Sequence, residues 1–102
     1  MKVIIESPYF GDVEKNLEYA RRCLSDSLGR EEAAFASHLL YTQVLNDEIQ
    51  DQRQLGMKNA FMWYKYADLM AVYIDLGVSK GMLEGIEKAH KYDIPIEIRK
   101  ID

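Results

Sequence analysis

Six consecutive apolar residues, Leu69-Met70-Ala71-Val72-Tyr73-Ile74, stopped by Asp75, constrain this chain more than any other feature. The run is far too short for a membrane span and lacks the alternation of a strand with one wet face. It predicts a strand buried on both faces, and such strands belong to parallel sheets covered by helices. Val3-Ile4-Ile5, ended by Ser7-Pro8, and the smaller Ala33-Ala34-Phe35-Ala36 read the same way. Pro95-Ile96-Glu97-Ile98-Arg99-Lys100-Ile101 alternates instead, the pattern of a half-exposed edge strand, where a leading proline is tolerated.

Helical spacing fills the intervals. Asp12 is an N-cap candidate, and Val13, Leu17, Ala20, Leu24 and Leu28 form one stripe before Gly29. The polar stretch Asn46–Gln54 reads as a loop leading into a helix. Met57, Ala60, Phe61, Tyr64 and Ala67 line that helix's inner face, with Asn59, Trp63 and Tyr66 beside it. Ser79 is the N-cap candidate of a third helix, with Met82, Ile86 and Ala89 inward. The order is β-α-β-α-β-α-β. It predicts an α/β fold with a mainly parallel four-stranded sheet and helices on both faces.

Composition narrows the function classes. At 102 residues one domain is expected over residues 1–102. The net charge of -4 argues against duplex nucleic acid as a partner, since that affinity comes from Lys and Arg on phosphates. No stretch reads as a membrane span or a signal peptide. Cys23 is the only cysteine, which fits a reducing, cytoplasmic setting. No metal site or cofactor is expected: His38 and His90 are far apart in sequence, and neither a Walker loop nor a dinucleotide fingerprint is present. Five methionines and eleven aromatics exceed what one small core hides, so a homo-oligomer is expected.

In parallel sheets ligands sit outside the carboxyl ends of the strands. Four segments fall there. In Asp75-Leu76-Gly77-Val78-Ser79-Lys80-Gly81-Met82 the glycines permit close approach, and the helix start offers free N–H groups. That segment is either an anion site or simply a capped turn. Ser7-Pro8-Tyr9-Phe10-Gly11 either roofs a pocket with two rings or packs them on the sheet edge. His38 and Tyr41 follow the second strand, and the loop before the second helix completes the set. Among the carboxylates Asp75 ends a buried strand and Glu84 and Glu87 lie on the third helix, where an acid beside a buried pocket can serve catalysis, though most acids of such a chain are solvated.

Taken together, Ser7-Pro8-Tyr9 after the first strand, Asn16, His38-Leu39-Leu40-Tyr41-Thr42-Gln43 and the segment Asp75–Met82 resemble a set of small phage and bacterial proteins. Those proteins are related by fold to the nucleoside 2-deoxyribosyltransferases. The resemblance implies a flavodoxin-like or Rossmann-like domain handling a small-molecule nucleoside or nucleotide. It implies ligand contacts from Ser7, Pro8, Tyr9, Phe10, Asn16, His38, Tyr41, Asp75, Gly77, Ser79, Lys80, Gly81 and Met82, with a 5′-phosphate at Ser79-Lys80-Gly81. In the enzymes a glutamate one turn into the last helix is the nucleophile. Here the matching position is Gly85. Glu84, one residue earlier, lies about 100° around the helix. An acid that the enzymes carry in the second helix is met by Asn59-Ala60. The resemblance therefore implies a binder that sequesters or senses a nucleotide-derived molecule. The alternative is an N-glycosidase or deoxyribosyltransferase using Glu84, helped by Asp75 and Tyr9.

Overall fold

The computed structural model describes residues 1–102, and the expected order of elements is present. Strands β1 (Lys2–Glu6), β2 (Ala33–Phe35), β3 (Leu69–Tyr73) and β4 (Ile96–Arg99) form one sheet in the order β2-β1-β3-β4. Every neighbouring pair is parallel. β1 and β3 are central, with Val3 opposite Leu69 and Ile5 opposite Ala71, and all of β3 is buried. β4 is an edge strand, as its alternation predicts.

Helix α1 (Val13–Gly29) covers one face of the sheet. Helices α2 (Gln50–Tyr64) and α3 (Lys80–Lys91) cover the other. Strand parity divides the core between them. Val3, Ile5, Ala71 and Tyr73 pack with Tyr19 and Cys23 of α1. Ile4, Met70 and Val72 pack with Tyr64 of α2 and Met82 and Ala89 of α3. No helix is long and apolar enough to cross a membrane.

Three expectations are corrected. The buried side of α1 is Asn16, Tyr19, Ala20, Cys23 and Ser27 rather than the leucine stripe, and Leu28 is exposed. Its polar members are buried because each has an internal hydrogen-bond partner: Tyr9 and Phe10 for Asn16, Asp75 for Tyr19, Glu32 for Ser27. Helix α2 starts at Gln50, inside the stretch read as loop. Gln50–Gln54 lie on or near the surface, where packing does not decide and glutamine and arginine are good helix formers. In β4 the alternation does not put every charge outside. Ile98 is exposed, while the Arg99 side chain is 3% exposed and forms two 2.7 Å bonds to Glu32. Arg99 also reaches Glu97 and the Tyr73 hydroxyl, so its charge and donors are met inside the fold.

Candidate functional site

Parity along β1 places Glu6 on the same face as Ile4, beneath α2 and α3. Its residue is 5% exposed. One hydrogen bond reaches its carboxyl from within the chain, donated by the Tyr64 hydroxyl to Oε2 at 3.0 Å. Burial raises the Glu6 pKa from the usual carboxyl value to about 8, and the Tyr64 bond only partly opposes this. Burial, and after it the Glu6 carboxyl beside it, push the Tyr64 phenol well above its ordinary range.

Gly85 on α3 is what admits this carboxyl. A Cβ at position 85 would lie 2.1 Å from Glu6 Oε2 and 2.8 Å from its carboxyl carbon. The position that the resemblance aligns with a helix nucleophile is thus a gap, and a carboxyl from the first strand fills it.

Glu6 forms the floor of a cavity of about 80 Å³ at the strand ends. Tyr64 and Gly85 complete that floor, and Tyr9, Phe10, His38 and Tyr41 build the walls. Tyr9 and His38 are stacked at 5.0 Å with an interplanar angle of 25°. Burial lowers the His38 pKa to about 4, against the pull of a hydrogen bond with the Ser7 backbone, so the ring is neutral at pH 7. Burial also raises the Tyr9 phenol, with the nearby Asp47 charge adding to it. The Tyr41 hydroxyl accepts from Trp63 Nε1 at 3.1 Å. Asn16 fixes the loop after β1, its Nδ2 donating to the carbonyls of Tyr9 and Phe10 at 2.9 Å each. Arg53 lies over the Phe10 ring at 4.4 Å and closes one side. Asp47, Arg53, Met57 and Phe61 are shared with an open groove of about 780 Å³ between α2 and α3.

Of the residues singled out in the sequence, the cavity brings together Tyr9, Phe10, His38, Tyr41 and Gly81. Pro8, Asn16, Gly77 and Ser79 line a separate hollow on the other side of Phe10. There the Ser79 hydroxyl caps α3, accepting from Met82 N at 3.2 Å. Met82 is in the core, Ser7 is buried, and Lys80 lies exposed on the first turn of α3. Asp75 projects toward α1, away from the cavity. Its carboxylate accepts from Tyr19 at 2.5 Å and from the backbone of Ile101 and Asp102, and these bonds hold its pKa near 2. Glu84 faces the open groove rather than the cavity. No group of three or more His, Cys, Asp or Glu side chains is placed to hold a metal ion.

The sequence reading missed Glu6, Tyr64, Gly85 and Arg53 as site residues. Glu6 had a legible signal, since it lies two residues after Ile4 on a strand and so shares its face. Its partner on α2 had none, because Tyr64 sits in the apolar stripe.

A family model described as "Domain of unknown function (DUF7768)" matches residues 1–99. No curated protein matches the chain. Among solved structures, a 2-deoxyribosyltransferase from Bacillus psychrosaccharolyticus superposes with a TM-score of 0.78 at 16% sequence identity. The match covers 98% of this chain and 72% of that one. That enzyme is described as a biocatalyst for the synthesis of antiviral and antitumoral nucleosides. The two chains share a fold, a parallel α/β sheet of Rossmann-like type.

Proposed function

The chain belongs to the DUF7768 family, and for it we propose binding of a nucleoside or nucleotide-derived small molecule at the carboxyl ends of β1 and β2. One observation carries the reading: a stacked ring pair, Tyr9 and His38, meets the Glu6–Tyr64 carboxyl–phenol pair in a single cavity at the strand ends. Aromatic faces suit a planar heterocycle, and a few convergent polar groups fix its orientation. At about 80 Å³ the cavity takes only part of such a ligand. The remainder extends past Phe10 and Arg53 into the adjoining groove.

Catalysis is the second reading, favoured by the presence of a carboxyl inside the cavity. An N-glycosidase or deoxyribosyltransferase needs an ionised carboxylate aimed at the anomeric carbon. Glu6, raised to about 8, is mostly protonated at pH 7 and is a poor nucleophile there. The binder reading is therefore preferred, with sequestering or sensing as its role. The reading extends to self-association. An apolar hollow of about 230 Å³ beside the β2 edge, lined by Val3, Phe35, Trp63 and Tyr66, is the surface a second copy would cover. It also keeps the cytoplasmic setting, on the ground that the one thiol, Cys23, is free and buried.

The test is incubation with a panel of nucleosides, nucleotides and cyclic dinucleotides, reading binding by thermal shift and free base by chromatography. The binder reading expects a shift without base release. Base release that climbs as pH rises through about 8 and vanishes in Glu6→Gln would establish the enzyme instead. The absence of both a shift and base release with every compound would overturn both readings.

A further inference from the structure

None of the chain's ion pairs includes Glu6. A buried carboxylate without a cation is strongly disfavoured against its neutral form. The hydrogen bond from Tyr64 then decides where the proton sits. Tyr64 Oη makes no other side-chain hydrogen bond, so its own proton has one acceptor available, Glu6 Oε2. With Oε2 accepting, the acid proton resides on Oε1. That oxygen has no partner within the chain and is not sealed from solvent, since no fully buried side-chain oxygen is left without one. Glu6 lines the cavity.

We propose that Glu6 works as a neutral carboxylic acid, donating a hydrogen bond from Oε1 to a proton-free acceptor on the ligand, a ring nitrogen or carbonyl oxygen of a nucleobase-like heterocycle. Gly85 is the positioning device that leaves room for the acid, and Tyr64 selects which oxygen carries the proton. This rests on the nucleoside reading above and specifies which edge of the base the site accepts.

The other titratable or charged groups facing the cavity are Tyr9, His38, Tyr41, Asp47, Arg53 and Tyr64. His38 changes charge near pH 4, while Tyr9 and Tyr64 are raised above the ordinary tyrosine value. Asp47 is the other acid of the wall, its pKa also raised by burial and lowered by Arg53. Asp47→Asn therefore serves as the control for any pH effect.

Two measurements test the proposal. Carbon-13 NMR of the Glu6 carboxyl in the free protein should show it protonated at pH 7. An ionised carboxyl there would overturn the proposal and leave the nucleoside reading standing. The 2′-deoxynucleosides and 5′-monophosphates of adenine, guanine, cytosine and thymine are then titrated from pH 6 to 9.5. Affinity of the wild type should hold to pH 7 and fall above pH 8, by about tenfold per unit, and Asp47→Asn, whatever its starting affinity, should keep the same alkaline fall. Glu6→Gln keeps a donor, so it should retain affinity within a few-fold and lose the alkaline fall. Glu6→Ala should lose about tenfold or more. Equal losses in Glu6→Gln and Glu6→Ala, or a flat wild-type profile, would overturn it. Failure of every probe to bind a wild type whose Glu6 is protonated would overturn the nucleoside reading and this proposal with it.

Discussion

Gly85→Ala is the substitution whose outcome the geometry specifies most sharply. The added methyl would sit 2.1 Å from Glu6 Oε2, so the carboxyl must retreat by roughly 1 Å or more to reach van der Waals contact. Overpacking of this kind costs about 1–3 kcal/mol. Breaking the Tyr64 bond costs about 1 kcal/mol more. The better helix propensity of alanine returns about 1 kcal/mol. The net expectation is a loss of about 1–3 kcal/mol. In a Glu6→Ala background the carboxyl is gone, and the same substitution should stabilise by up to about 1 kcal/mol through propensity alone. The two effects differ by about 2–4 kcal/mol, which a double-mutant cycle resolves easily. Urea unfolding of the wild type, both single variants and the double variant supplies the four numbers. If Gly85→Ala has the same effect in both backgrounds, Glu6 does not occupy that space and the account of the cavity floor is wrong.

Two further outcomes concern the framework. Arg99→Met should cost about 3 kcal/mol or more, because it strands the Glu32 carboxylate, a substitution checked by the same unfolding assay. The Arg99 bonds hold Glu32 near a pKa of 2. Their contribution is complete above about pH 4.5 and should be lost as pH falls toward 2. His38 is kept neutral by burial, with its pKa lowered from 6.5 to about 4. Stability should therefore decline as pH drops from 6.5 through 4, and His38→Phe should remove that part of the slope in acid titrations of the melting temperature.

The sheet was largely legible because its signal is local. An unbroken apolar run such as Leu69–Ile74 can satisfy its side chains only between two layers, and the spacing before and after it is helical. The face of α1 was not legible in the same way. Asn16, Tyr19 and Ser27 go inside because of partners at Tyr9, Asp75 and Glu32, and no periodicity rule reports a distant partner. The site shows the same division. Tyr9, Phe10, His38 and Tyr41 follow strands, and the rule that ligands gather at strand ends finds them. Glu6 was passed over because it reads as the end of an apolar run. Gly85 reads as a missing catalytic side chain until the carboxyl across from it is seen. Asp75 looked available at a strand end. Its odd-numbered place, two residues past Tyr73 at the end of β3, turns it to the α1 side, where Tyr19 and the C-terminal backbone take up its oxygens.

Mapping amide and side-chain NMR shifts while a panel nucleoside or nucleotide is added tests the central claim most directly. The account predicts shifts concentrated on Glu6, Tyr9, His38, Tyr41, Tyr64 and Gly85, the residues around the cavity. Shifts concentrated instead on Lys15, Asn16, Gly77 and Ser79, which line the hollow beyond Phe10, would contradict it.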